Sequence, residues 1–173
     1  TLARNGGGDG SGIFIGNWNP WSTSGPSTLD MRDTIVATQT VGVVVADASA
    51  LDINGVLWHN IATPISQVPG ASVSIQNALS GDPQFLNPAA GDYHLGPGSA
   101  ARDAGIPTAT PRDFDGQVRP MGLGYDLGAD EYPDAALSLV KTPALCVDDA
   151  APSEIYTLIV TSSGLLDAHN VIF

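Results

Sequence analysis

The sequence has little positive charge: six Lys and Arg stand against 18 Asp and Glu, for a formal net charge of −12. A surface of that sign repels nucleic acid, anionic membranes and polyuronates, because binding phosphate or carboxylate polymers needs clustered Arg and Lys. Cysteine is nearly missing as well, and Cys146 alone cannot build an internal disulfide framework. No apolar run approaches 18 residues, and the opening TLARNGGGDG lacks a basic stretch followed by an apolar one, so neither a spanning helix nor a leader is expected here. Charged runs of the kind that stabilise helices are few. The 20 Gly and 13 Pro instead suit a turn-rich all-β chain, and 43% hydrophobic residues suffice for a packed core.

What is present is a repeat. From Ser27 the chain reads STLDMRDTI, from Ser49 SALDINGVL, and from Ala71 ASVSIQNAL. Leu29, Leu51 and Val73 are spaced by 22, as are Met31, Ile53 and Ile75, and Ile35, Leu57 and Leu79. Within each copy apolar and polar residues alternate, the period of two expected of a strand with one buried face. A 22-residue interval is too short for a strand, helix and strand unit, and no helical pattern lies between the copies. The expectation is an all-β, right-handed parallel β-helix, a single-stranded solenoid of ~22-residue turns whose like residues stack in columns about 4.8 Å apart. Leu29, Leu51 and Val73 should form one inward column, with Met31, Ile53 and Ile75 beside it.

Gly12-Ile13-Phe14-Ile15 matches Gly42-Val43-Val44-Val45 at a spacing of 30, and the loop from Asn17 to Ser27 absorbs the excess over 22. Trp18 and Trp21 in that loop are candidates for a sugar-stacking platform, with a lid over the corner as the preferred reading. The run from Asn5 to Gly12 lacks the Gly-Lys-Ser/Thr ending and the following helix of a phosphate loop, as well as the glycine and aspartate spacing of calcium nonapeptides. It reads as a turn.

From Gly81 alternation gives way to GDPQFLNPAAGDYHLGPGSAARDAG, followed by Asp113-Phe114-Asp115-Gly116, Arg119-Pro120 and GYDLGADEY at 124–132. This series resembles the C-terminal end of bacterial surface proteins with right-handed parallel β-helix repeats, of the choice-of-anchor or polymorphic outer-membrane-like kind. The resemblance implies that residues 81–132 close the coil, where a last turn exposes an unpaired edge and an open core. Leu137–Thr142, Tyr156–Thr161 and Gly164–Val171 are similar to the opening strands of a DUF11-type immunoglobulin-like module. The expected division is thus 1–80 for the turns, 81–132 for the closing turn and cap, and 133–173 for a truncated sandwich, which lacks the seven or so strands that close such a core. The chain then reads as a fragment of a longer protein.

β-Helices also include pectate lyases and polygalacturonases, so carboxylates facing outward on stacked strands are candidate catalytic groups. Asp30 and Asp52 lie one turn apart, near the separation of a retaining glycosidase pair. The column continues with Ser74, and the neighbouring Arg32, Asn54 and Gln76 read as a solvated polar ladder, the preferred reading. His59, His94 and His169 sit in three separate segments without ligand spacing and read as structural. Asp113, Asp115, Asp126, Asp130 and Glu131 are the densest acidic group, and the four aspartates are the candidates for a Ca2+ site. A cap salt-bridged by Arg112 and Arg119 is preferred to calcium, so no cofactor is expected.

These readings lead to a non-catalytic extracellular scaffold or adhesin-like piece of a bacterial cell-surface protein, its signal and anchor outside this stretch. Its expected partners are surface glycans or other surface proteins, with no nucleic acid and no membrane insertion. The alternatives are a carbohydrate-active enzyme of the pectate-lyase or polygalacturonase kind and a carbohydrate-binding module using Trp18 and Trp21.

Overall fold

The computed structural model describes residues 1–3, 11–16, 25–133, 137–143 and 156–162. The chain divides into two compact units, Thr1–Tyr132 and Pro133–Phe173. The first is all-β. Among the described residues it has seven strands: β1 (Leu2–Ala3), β2 (Ser11–Ile15), β3 (Thr28–Ala37), β4 (Val41–Val45), β5 (Ala50–His59), β6 (Thr63–Gln67) and β7 (Ser72–Ser80). They form two parallel sheets, ordered β1-β3-β5-β7 and β2-β4-β6. Odd and even strands therefore alternate along the chain, and each sheet grows in chain order.

The register follows the repeat residue by residue. Leu29 pairs with Leu51 and Leu51 with Val73; Met31, Ile53 and Ile75 align in the same way. In the second sheet Ile13 pairs with Val43 and Val43 with Ile65, so the longer interval after β2 is absorbed outside the strands. Apolar alternation fixes this register, since a slip by one residue would turn every buried side chain outward. Between the sheets lies a first core of Ile15, Met31, Val36, Val43, Val45, Leu51, Ile53, Val56 and Trp58.

Asp33, Gly55 and Asn77 stand at the same place in three successive copies, and all adopt positive φ, at 40°, 84° and 50°. Asp and Asn tolerate this left-handed conformation better than other side-chain-bearing residues, and glycine adopts it freely. The bend inserts a residue into the alternation and reverses its phase. Before it, Met31 and Ile53 face the first core. After it, Val36, Val56 and Trp58 do, while Ile35, Ala37 and Leu57 face the opposite way into a second core with Leu95, Ala101 and Leu127. Two further corners repeat the device, with positive φ at Thr38 and Asn60 and at Ala48 and Gly70. Hydrogen bonds between copies continue outside the strands, from Thr38 N–H to His59 O and from Ser72 N–H to Ser49 O.

Residues 81–132 contain no extended strand. Their ordered pieces are a 3-10 turn at Pro88–Ala90 and two isolated bridges, Asn87 with Asp92 and Arg112 with Val118. The apolar side chains of residues 81–132 pack against Ile35, Ala37 and Leu57 on β3 and β5. The phase reversal makes this possible, because it turns Ile35 and Leu57 away from the first core and supplies an apolar seat there. On β7, Ile75 and Leu79 remain 47% and 42% exposed. Backbone bonds fix the seat, with Gly128 N–H donating to Asp33 O and Leu127 N–H to Ala101 O.

The second unit contains β8 (Leu137–Pro143) and β9 (Tyr156–Ser162), antiparallel and in register from Leu137 opposite Ser162 to Pro143 opposite Tyr156.

Candidate functional site

Residues 81–132 carry a backbone that no strand ladder satisfies, and buried N–H groups without acceptors are costly. Aspartates and one glutamate accept them. Asp113 Oδ1 takes Asp115 N–H at 3.0 Å and Gln117 N–H at 2.7 Å, and its Oδ2 takes Glu131 N–H at 3.2 Å. Asp126 takes Asp103 N–H on Oδ1 at 2.7 Å and Tyr132 N–H on Oδ2 at 2.6 Å. Asp103 takes Gly124 N–H, and Asp130 Oδ2 takes Leu95 N–H, each at 2.7 Å. From the repeat side, Asp33 Oδ1 takes Ile106 N–H at 2.8 Å.

The centre of this network is a buried ion pair. Arg119 Nε donates to Glu131 Oε1 at 2.7 Å, and both side chains are almost wholly enclosed. The guanidinium also donates through Nη2 to the carbonyls of Asp126 and Gly128, and Glu131 accepts Met121 and Asp126 N–H. The expected pairing of Arg119 with the acidic group is therefore found, at Glu131. Arg112 donates to Gly116 O at 2.6 Å. Burial pushes the Asp126 carboxyl up to about 6, more than its two backbone donors hold it down. Burial likewise raises Asp33 and Asp130.

At the edge of this network the fold gathers His94, Asp92, Asp115 and Asp130. His94 Nδ1 lies 2.5 Å from Asp92 Oδ1 and its Nε2 2.7 Å from Asp115 Oδ2, and the Phe114 ring packs 4.9 Å from the imidazole. Hydrogen bonds to Asp92 and then Asp115 raise the imidazole to about 9. One ligand atom each from His94, Asp115 and Asp130 lie within 4.8 Å of one another. The candidate calcium set is thereby divided. Asp113 and Asp126 have both oxygens engaged by backbone donors, whereas Asp115 and Asp130 lie beside His94. Positions 94, 115 and 130 are too far apart for spacing to reveal; Asp92-Tyr93-His94 was the local signal, an aspartate two residues before a histidine in a turn.

Asp30 and Asp52 align across β3 and β5, as the repeat requires. Arg32 joins them, at 2.5 Å to Asp30 and 3.5 Å to Asp52, and the two carboxyl side chains are 62% and 51% exposed. Hydrogen bonding to Asp30 is the main cause of a raised Arg32 guanidinium. The pair lies on an open sheet face, with each carboxylate turned to the same cation. His59 Nδ1 is 2.9 Å from Gly81 O, at the join between the repeats and the irregular segment. Trp18, Trp21, Cys146 and His169 lie outside the described residues.

A cavity of about 540 Å3 opens beside the Asp33 bend, lined among others by Asp33, Ile106, Thr108 and Arg119. Asp33 Oδ2 and Thr108 Oγ1 are buried without a hydrogen-bond partner among the described residues. Among those residues no helix is long and apolar enough to cross a membrane. Comparison of the chain with protein-family models, with curated proteins and with solved structures returned no match.

Proposed function

We propose that this chain is a scaffold: the end of a right-handed parallel β-helix of ~22-residue turns, acting without catalysis in a bacterial cell-surface protein and presenting an acidic outer face to glycans or other surface proteins. What supports the solenoid reading is the pair of parallel sheets built in chain order, with three corners of positive φ repeated from copy to copy. Parallel crossovers are right-handed in about 98% of cases, which sets the hand proposed. Residues 133–173 are proposed as the start of an immunoglobulin-like module, on the strength of the antiparallel pair β8 and β9.

The observation that carries the scaffold reading is the state of Asp30 and Asp52. A retaining glycosidase holds its two carboxyl groups about 5 to 5.5 Å apart in a groove, one protonated and one ionised. Here one guanidinium bridges two solvent-exposed carboxylates on an open face, an arrangement that neutralises charge along a column. The test is incubation with neutral and acidic polysaccharides, with an assay for new reducing ends and unsaturated products. The scaffold reading expects none. Activity that disappears in both Asp30→Asn and Asp52→Asn would replace it with the carbohydrate-active enzyme.

A further inference from the structure

We propose that His94, Asp115 and Asp130 bind one divalent transition-metal ion, of the Zn2+ or Mn2+ class, that staples three separate parts of the irregular segment together. Asp92 supplies the orientation. By accepting from Nδ1 of His94 at 2.5 Å it fixes the ring so that Nε2 points to Asp115 Oδ2, 2.7 Å away. A carboxylate behind a ligating imidazole is the usual means of fixing the tautomer and raising the basicity of the metal-facing nitrogen.

Asp130 supplies the third ligand. Its residue is only 4% exposed, and Leu95 N–H donates to Oδ2 and so fixes the carboxyl group beside His94 and Asp115. The ligand atoms already lie within 4.8 Å of one another. Metal–ligand bonds near 2.1 Å set ligand atoms about 3.3 Å apart, so the cluster is within a short adjustment of a coordination shell. Asp115 is on the exposed rim.

The donor set selects the metal class. One imidazole nitrogen with two carboxylates suits zinc or manganese, whereas calcium takes six to eight oxygens and no nitrogen. Three protein ligands leave positions for water. On binding, the ion takes the place of the proton shared between Nε2 and Asp115. The consequence is mechanical: residues 92–95, 113–117 and 130 become one cross-linked body, in a segment where regular strand pairing is missing.

The experiment uses the full chain stripped with chelator, titrated with ZnCl2 and MnCl2 by calorimetry and native mass spectrometry, with melting followed in parallel. One ion per chain is expected. At a hundredfold excess over Kd, Tm should rise by several degrees, because a ligand of the native state stabilises it. His94→Gln and Asp115→Asn should each weaken binding by about tenfold or more, and Asp92→Asn, a positioning change that removes no ligand, by about tenfold. Asp115→Asn guards against misfolding, since its carboxylate is on the rim and the metal-free variant should melt close to the parent. No stoichiometric binding by either metal, or binding unchanged in both His94→Gln and Asp115→Asn, would overturn the proposal.

Discussion

Residues 28–80 and residues 81–132 belong to one compact unit but solve the problem of the buried backbone in opposite ways. In the first, N–H and C=O groups pair with the copies before and after, and side chains stack like on like. In the second, carboxylates from Asp103, Asp113, Asp126, Asp130 and Glu131 accept the N–H groups that no neighbouring strand takes. The first region is held by apolar columns and a ladder that are insensitive to pH. The second depends on the charge of individual side chains. Acidic composition, which from the sequence marks a surface, is here partly an internal device for an irregular backbone.

The largest effect expected from breaking this contrast is in the repeats. Ile53 is wholly buried between two copies, and Ile53→Asp places an unpaired charge in the first core, which should abolish the cooperative unfolding transition seen by circular dichroism. The same change at Ile75, in the same column but on β7 and 47% exposed, should cost within about 1 kcal/mol. Equal losses at both sites would mean that β7 is covered and the column is buried throughout.

Next in size is the ion pair. Glu131→Gln leaves the Arg119 guanidinium enclosed without its countercharge, a loss of about 3–5 kcal/mol by denaturant titration. A loss below about 1 kcal/mol, the level of an exposed pair, would show that the irregular segment does not rest on this pair.

Much of the repeat region was legible because its signal is local and redundant. The columns through Leu29 and Met31 are written three times, and the register follows them. The reversal of phase at Asp33, Gly55 and Asn77 was written there too, in residues that favour positive φ, but alternation alone does not reveal that Ile35 and Leu57 turn outward. In the second region only the acidic richness could be read. Which carboxylate takes which N–H depends on contacts between positions as distant as 95 and 130, or 33 and 106, and no period announces them. The meeting of His94 with Asp115 and Asp130 was lost for the same reason.

The smallest effect is in the pH dependence, and it separates the regions most cleanly. Burial raises the Asp126 carboxyl from 3.8 to about 6, so the folded chain holds that proton more tightly than the unfolded one. Its stabilising contribution is complete below 3.8 and is lost as the pH rises through about 6. Thermal melts should therefore fall by a few degrees across that window, and Asp126→Asn should flatten this part of the slope.

The claim that carboxylates replace the ladder is tested most directly by following backbone amide protons by NMR between pH 4 and 8. Asp103 and Tyr132 donate to the two oxygens of Asp126, so both amide signals should shift together with one midpoint near 6, while Thr38 and Ser72, which donate to carbonyls of the repeats, stay still. Amides of Asp103 and Tyr132 that do not titrate, or that exchange with solvent as freely as an open loop, would contradict it.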